Sequence, residues 1–168
     1  KMGEDPDLEA GLMALLARRS RLWLSCCQKQ NRYPCPKTDR LNRMPTFENA
    51  GVSLYYTVAG EGPPLVLLHG FGSSEIDWEL QRPAFSRNFQ VITPDLRGFG
   101  RSSRDQGPFS IEQFADDFRA LLAHLKIDCF SLLGYSLGGA VAFEFAVNAP
   151  ERVERLVLVN TWPSFRTT

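Results

Sequence analysis

The chain is 168 residues long, 43% hydrophobic, 23% charged and 11% aromatic, a globular composition with apolar material for one sizeable core and one domain. Nineteen lysines and arginines balance nineteen aspartates and glutamates, so the electrostatic footprint of a nucleic-acid or anionic-membrane binder is excluded and partners must be argued from a site. No apolar run approaches the roughly 20 residues of a spanning helix, and Cys26, Cys27, Cys35 and Cys129 lack the grouping of a zinc site or a disulfide framework, so no metal and no cofactor is expected.

Leu8, Leu12, Leu15 and Leu16 recur at helical spacing, but acidic residues precede them and Arg18, Arg19 and Arg21 follow. The stretch fails as a signal peptide, whose basic residues come before an unbroken apolar core. A polar, proline-containing tail comes next, and residues 1–43 read as a poorly ordered extension ahead of a domain at 44–168, with Met44 the expected natural start. With no export signal and scattered cysteines, the expected compartment is the reducing cytoplasm.

Alternation of Val52, Leu54, Tyr56 and Val58 predicts a half-buried strand entered through an Ala-Gly turn. The continuous apolar run LVLLH at 65–69 predicts a buried strand, followed by a glycine-rich loop, a helix over 78–86 and a short strand at 91–93 stopped by Pro94. Ser110 with Gln113 three residues on forms a capping-box start for a helix whose face carries Ile111, Phe114, Phe118, Leu121, Leu122 and Leu125. A third buried strand at 129–133 runs into Gly134-Tyr135-Ser136-Leu137-Gly138, then an alanine- and phenylalanine-rich helix to Ala149 stopped by Pro150, and a last strand at 153–159. Strands alternating with helices predict an α/β fold: a mainly parallel sheet with helices on both faces.

The pattern G-x-S-x-G at a strand-to-helix turn is the strongest chemical signal. A serine hydroxyl is a poor nucleophile unless it is exposed, oriented and beside a base. A tight turn exposes it, and Gly134, Gly138 and Gly139 give the clearance that lets helix approach strand. The helix N-terminus adds unpaired N–H groups where an oxyanion would form, the Leu137 amide first among them. The plainer alternative is a tight turn without chemistry; a strand before it and a helix after it favour the nucleophile.

These segments resemble the α/β-hydrolase superfamily in order and spacing. The resemblance rests on His69-Gly70-Phe71-Gly72, on DLRGFGRS from Asp95 to Ser102, on GYSLGG and on Pro150-Glu151-Arg152-Val153, and it covers about 46–160. It resembles the branch containing small esterases, enol-lactonases, carbon-carbon bond hydrolases and cofactor-free haloperoxidases. Epoxide hydrolases and haloalkane dehalogenases are less similar, because they place an aspartate where this chain has Ser136. The resemblance implies that Ser136 is the nucleophile and that the Phe71 and Leu137 N–H groups form the oxyanion hole. It also implies that His69 supports the loop with Gly70, and that the segment opening at Asp95 is architectural. The implied activity is hydrolysis of a small ester, lactone or related acyl substrate through an acyl-serine intermediate.

In that family the histidine and the acid follow the nucleophile. Here no histidine follows Ser136, and Glu144, Glu151 and Glu154 read as surface charges. His124, four residues before Asp128, falls on a helix flank. A rearranged triad through His69 and Asp95 would set a histidine in competition with the oxyanion donors. The chain therefore reads as a C-terminally truncated hydrolase domain, inactive alone, since domains of this kind often run to roughly 200–250 residues. Its last strand is expected to be an unpaired edge, prone to poor solubility or self-association. The alternative is a non-catalytic interaction module that uses this edge with Trp162 and Phe165; the coding sequence downstream of Thr168 would discriminate the two.

Overall fold

The computed structural model describes residues 45–104 and 109–162. The extension over 1–43, the start at Met44, three of the cysteines and Phe165 lie outside them. The strands are β1 (Thr46–Asn49), β2 (Val52–Ala59), β3 (Pro64–Leu68), β4 (Gln90–Pro94), β5 (Phe130–Tyr135) and β6 (Val153–Val159). The helices are α1 (Arg82–Phe85), α2 (Ile111–His124) and α3 (Leu137–Asn148), with single 3-10 turns at Glu75–Trp78 and Pro150–Arg152. One six-stranded sheet has the order β1-β2-β4-β3-β5-β6. Strands β4, β3, β5 and β6 are parallel, while β2 pairs antiparallel with both β1 and β4.

The sequence predicts β2 but not β1, a four-residue strand that pairs with it across the Ala50-Gly51 turn. Alternation also fails to predict that Tyr55 is buried alongside Tyr56. The single helix expected over 78–86 is two pieces. Pro83 has no N–H to give to the Glu79 carbonyl, so a helix cannot run through, and Trp78 is held in a side cluster with Leu65, Leu67 and Val91.

The parity of β3, β4 and β5 divides the core between the two faces. Val66, Leu68, Ile92, Phe130 and Leu132 point to the face that α2 and α3 cover. Leu65, Leu67 and Val91 point to the other, where Trp78, Phe85 and Phe89 pack. Ser110 caps α2 as expected, its Oγ accepting from the Gln113 N–H at 3.1 Å. Helix α3 is apolar around most of its circumference and is buried accordingly. Phe145 on α3 meets Phe118 on α2 (4.9 Å between centroids) and Phe130 on β5 (5.5 Å), an aromatic junction between α3, α2 and the sheet. Among the described residues no helix is long and apolar enough to cross a membrane.

Candidate active site

Strand β5 ends at Tyr135 and α3 begins at Leu137, so a single residue, Ser136, makes the whole turn. Its backbone stands at φ 51°, ψ −114°, a conformation that costs a non-glycine residue about 1–3 kcal/mol and persists only where its surroundings enforce it. Enforcement comes from close approach. A methyl on Gly134 would run into the Gly138 carbonyl, and one on Gly138 into the carbonyls of Leu68 and His69. With hydrogen there instead, α3 sits against β5 and the Gly138 N–H donates to the His69 carbonyl at 3.0 Å. Ser136 is half-buried and its hydroxyl makes no capping bond to the helix.

The loop after β3 comes to the same place. A Cβ on Gly70 would lie 3.6 Å from Ser136 Cβ and 2.9 Å from the Tyr135 ring. The Gly70 N–H is taken by Asp77 Oδ2 at 3.4 Å, and Asp77 also accepts from the Ser73 hydroxyl. The Phe71 and Leu137 N–H groups donate to no acceptor among the described residues. One of these amides opens the helix that follows Ser136, where the helix N-terminus favours negative charge, and the other lies next to Gly70 on the loop that approaches Ser136. The Phe71 side chain is 80% exposed, edge-on to Phe99 at 5.4 Å.

His69 has no accessible surface. Its Nδ1–H donates to the Gly70 carbonyl at 2.8 Å and its Nε2 accepts from the Leu96 N–H at 2.9 Å, so neither nitrogen is available to Ser136. Burial pushes its pKa below the ordinary 6.5, against smaller upward pulls from the Gly70 carbonyl, Asp95 and Asp77. Asp95 is equally committed: it accepts from the Glu75 N–H at 2.6 Å and the Arg101 N–H at 2.7 Å. The rearranged triad through His69 and Asp95 therefore does not form. Arg97, in the same segment, is paired through Nε and a terminal nitrogen with buried Asp117, each at 2.7 Å. His124 lies against Phe47 of β1 and Tyr56 of β2, strands separated from β5 by β4 and β3. The chain has two histidines, and neither serves Ser136 as a base.

Two residues that the sequence reading passes over touch this site. Asp77 holds the Gly70 loop, and the Thr161 hydroxyl, just after β6, donates to the Ser136 carbonyl at 2.8 Å. Neither belongs to a motif. Thr161 is 25 residues from its partner, and only the pairing of β5 with β6 brings it there.

The profile of the alpha/beta hydrolase fold family matches residues 63–168, and the chain belongs to that family. Over 113 residues it is 42% identical to the soluble epoxide hydrolase of Corynebacterium sp. (strain C12), covering 67% of this chain and 40% of that protein. A hydrolase from Pseudomonas aeruginosa PA01 superposes with a TM-score of 0.69 at 37% identity, over 72% of this chain and 48% of its own. The enol-lactonase from Burkholderia xenovorans LB400 gives 0.68 at 35% identity, over 70% of this chain and 46% of its own. The chain thus spans less than half the length of these relatives. The likeness to an epoxide hydrolase is stronger than the serine at 136 alone leads one to expect, because most of the matched residues build the sheet and its loops, not the reacting atom.

Proposed function

We propose that the chain carries the nucleophile and oxyanion hole of a serine hydrolase acting on a small ester, lactone or related acyl substrate. Ser136 Oγ attacks the acyl carbon and gives up its proton to a base, while the Phe71 and Leu137 N–H groups receive the negative charge on the acyl oxygen. The bond to the leaving group then breaks, and water hydrolyses the acyl-serine. The observation that carries the reading is the forced turn at Ser136 beside two amides that donate to no acceptor among the described residues. The enol-lactonase relative supports the substrate class. Epoxide-hydrolase chemistry is not carried over, because the resemblance gives those enzymes an aspartate at this position. The described residues offer no base, so the chain alone is expected to react slowly, at the residual level that binding and an oxyanion hole sustain.

Imidazole supplied in solution can stand in for a missing base. Modification of Ser136 by a fluorophosphonate, followed by intact mass and peptide mapping, is expected to be slow without imidazole, to accelerate with it, and to vanish in Ser136→Ala. An adduct on other residues, or none at Ser136 at high imidazole, refutes the reading. A second reading, a non-catalytic interaction module, draws on β6, where Leu156, Val157, Leu158 and Val159 are 37–48% exposed.

A further inference from the structure

The end of β6 controls both backbone polar groups of Ser136. The Ser136 N–H donates to the Val159 carbonyl at 3.0 Å, and the Ser136 carbonyl accepts from Thr161 Oγ1 at 2.8 Å. The same carbonyl also takes the Gly139 and Ala140 N–H groups at 3.0 and 3.1 Å. Thr161 is fitted to this place. Its Cβ and its methyl lie 2.6 Å from where a Cβ on Gly139 would stand, so the threonine occupies the clearance that the glycine leaves. Asn160, between Val159 and Thr161, takes φ 49°, a left-handed kink that turns the chain off the strand just before the threonine.

A planar trans peptide makes this contact matter for chemistry. The Ser136 carbonyl and the Leu137 N–H belong to one rigid unit and point in opposite directions, so whatever fixes the oxygen fixes the line of the N–H. A donor on the oxygen also polarises the unit and strengthens the N–H as a donor in turn. We propose that Thr161 is a positioning residue: its hydroxyl orients the Ser136–Leu137 peptide and thereby aims the Leu137 N–H at the acyl oxygen. This rests on the reading of Ser136 as nucleophile and assigns to the end of β6 a share in building the oxyanion hole.

Thr161→Val keeps the branched shape against Gly139 and removes only the donor, whereas Thr161→Ser keeps the donor. Removing an oxyanion donor outright costs about 100- to 1000-fold in rate, so misdirecting one should cost about tenfold or more. With imidazole present, fluorophosphonate modification of Ser136 should therefore slow by about tenfold in T161V and return to within about threefold of the parent in T161S. The backbone amide signal of Leu137 in a 15N-correlated spectrum should move in T161V and move back in T161S. An unchanged modification rate in folded T161V, or a T161S as slow as T161V, overturns the proposal. If the parent chain is not modified at Ser136, the nucleophile reading falls, and the orienting contact is judged by the Leu137 signal alone: one that does not move in T161V overturns it too.

Discussion

Protonation of His69 would place a second N–H against the Leu96 amide that its Nε2 now accepts. Burial resists that proton and keeps the folded pKa below 6.5, whereas the unfolded chain takes the proton near that ordinary value. The stabilisation is therefore complete above pH 6.5, declines as the pH falls below it, and levels off beneath the lowered folded pKa. Thermal melts at pH values from about 7.5 down to 5 should show a loss that His69→Gln makes shallower; parallel curves would contradict this. At this scale the sequence exposes what local geometry determines. Ser136, Gly134 and Gly138 are legible because one turn needs them together. Asp77 and Thr161 are not: no motif marks Asp77 as the acceptor for the Gly70 N–H, and Thr161 reaches the Ser136 carbonyl, 25 residues away, only through the fold.

Helix α2 shows the same division among elements. Its cap and its Phe114, Phe118, Leu121 and Leu122 face follow from spacing, but spacing gives no reason to bury Asp117 on the same helix. The reason lies in two other elements: the carboxylate holds Arg97 after β4 and accepts from Asn49 Nδ2 at the end of β1, 2.8 Å away and 68 positions earlier. Asp117 is the buried acidic half of an ion pair and also holds Asn49, so Asp117→Ala should lower unfolding stability by about 3–5 kcal/mol. Denaturant titration measures it, and a loss under about 1 kcal/mol would mean that Arg97 finds solvent instead. The parallel pairing of the strands from β3 to β6 is likewise legible from alternating strands and helices, whereas their order in the sheet is not. The hairpin of β1 is not, since four residues with no apolar alternation carry too little pattern.

The molecule has unlike borders. On one side β1 is four residues long and ends in a hairpin turn; on the other β6 is seven residues long, and among the described residues it pairs only with β5. Register puts Leu156 and Leu158 on the face of α3 and Val157 and Val159 on the opposite face, so β6 offers apolar side chains on both faces of an edge that has no second strand partner among the described residues. The polypeptide should associate with increasing concentration in sedimentation analysis, and Val157→Lys should weaken that association; a monomer at all concentrations would refute it. The difference between the borders also limits the stoichiometry. Two molecules pairing through β6 about a twofold axis would each cover the longer edge of the described sheet and leave its other edge, the four-residue β1, outward. Such pairing is expected to close at a dimer, since an isologous contact uses the same edge of both copies.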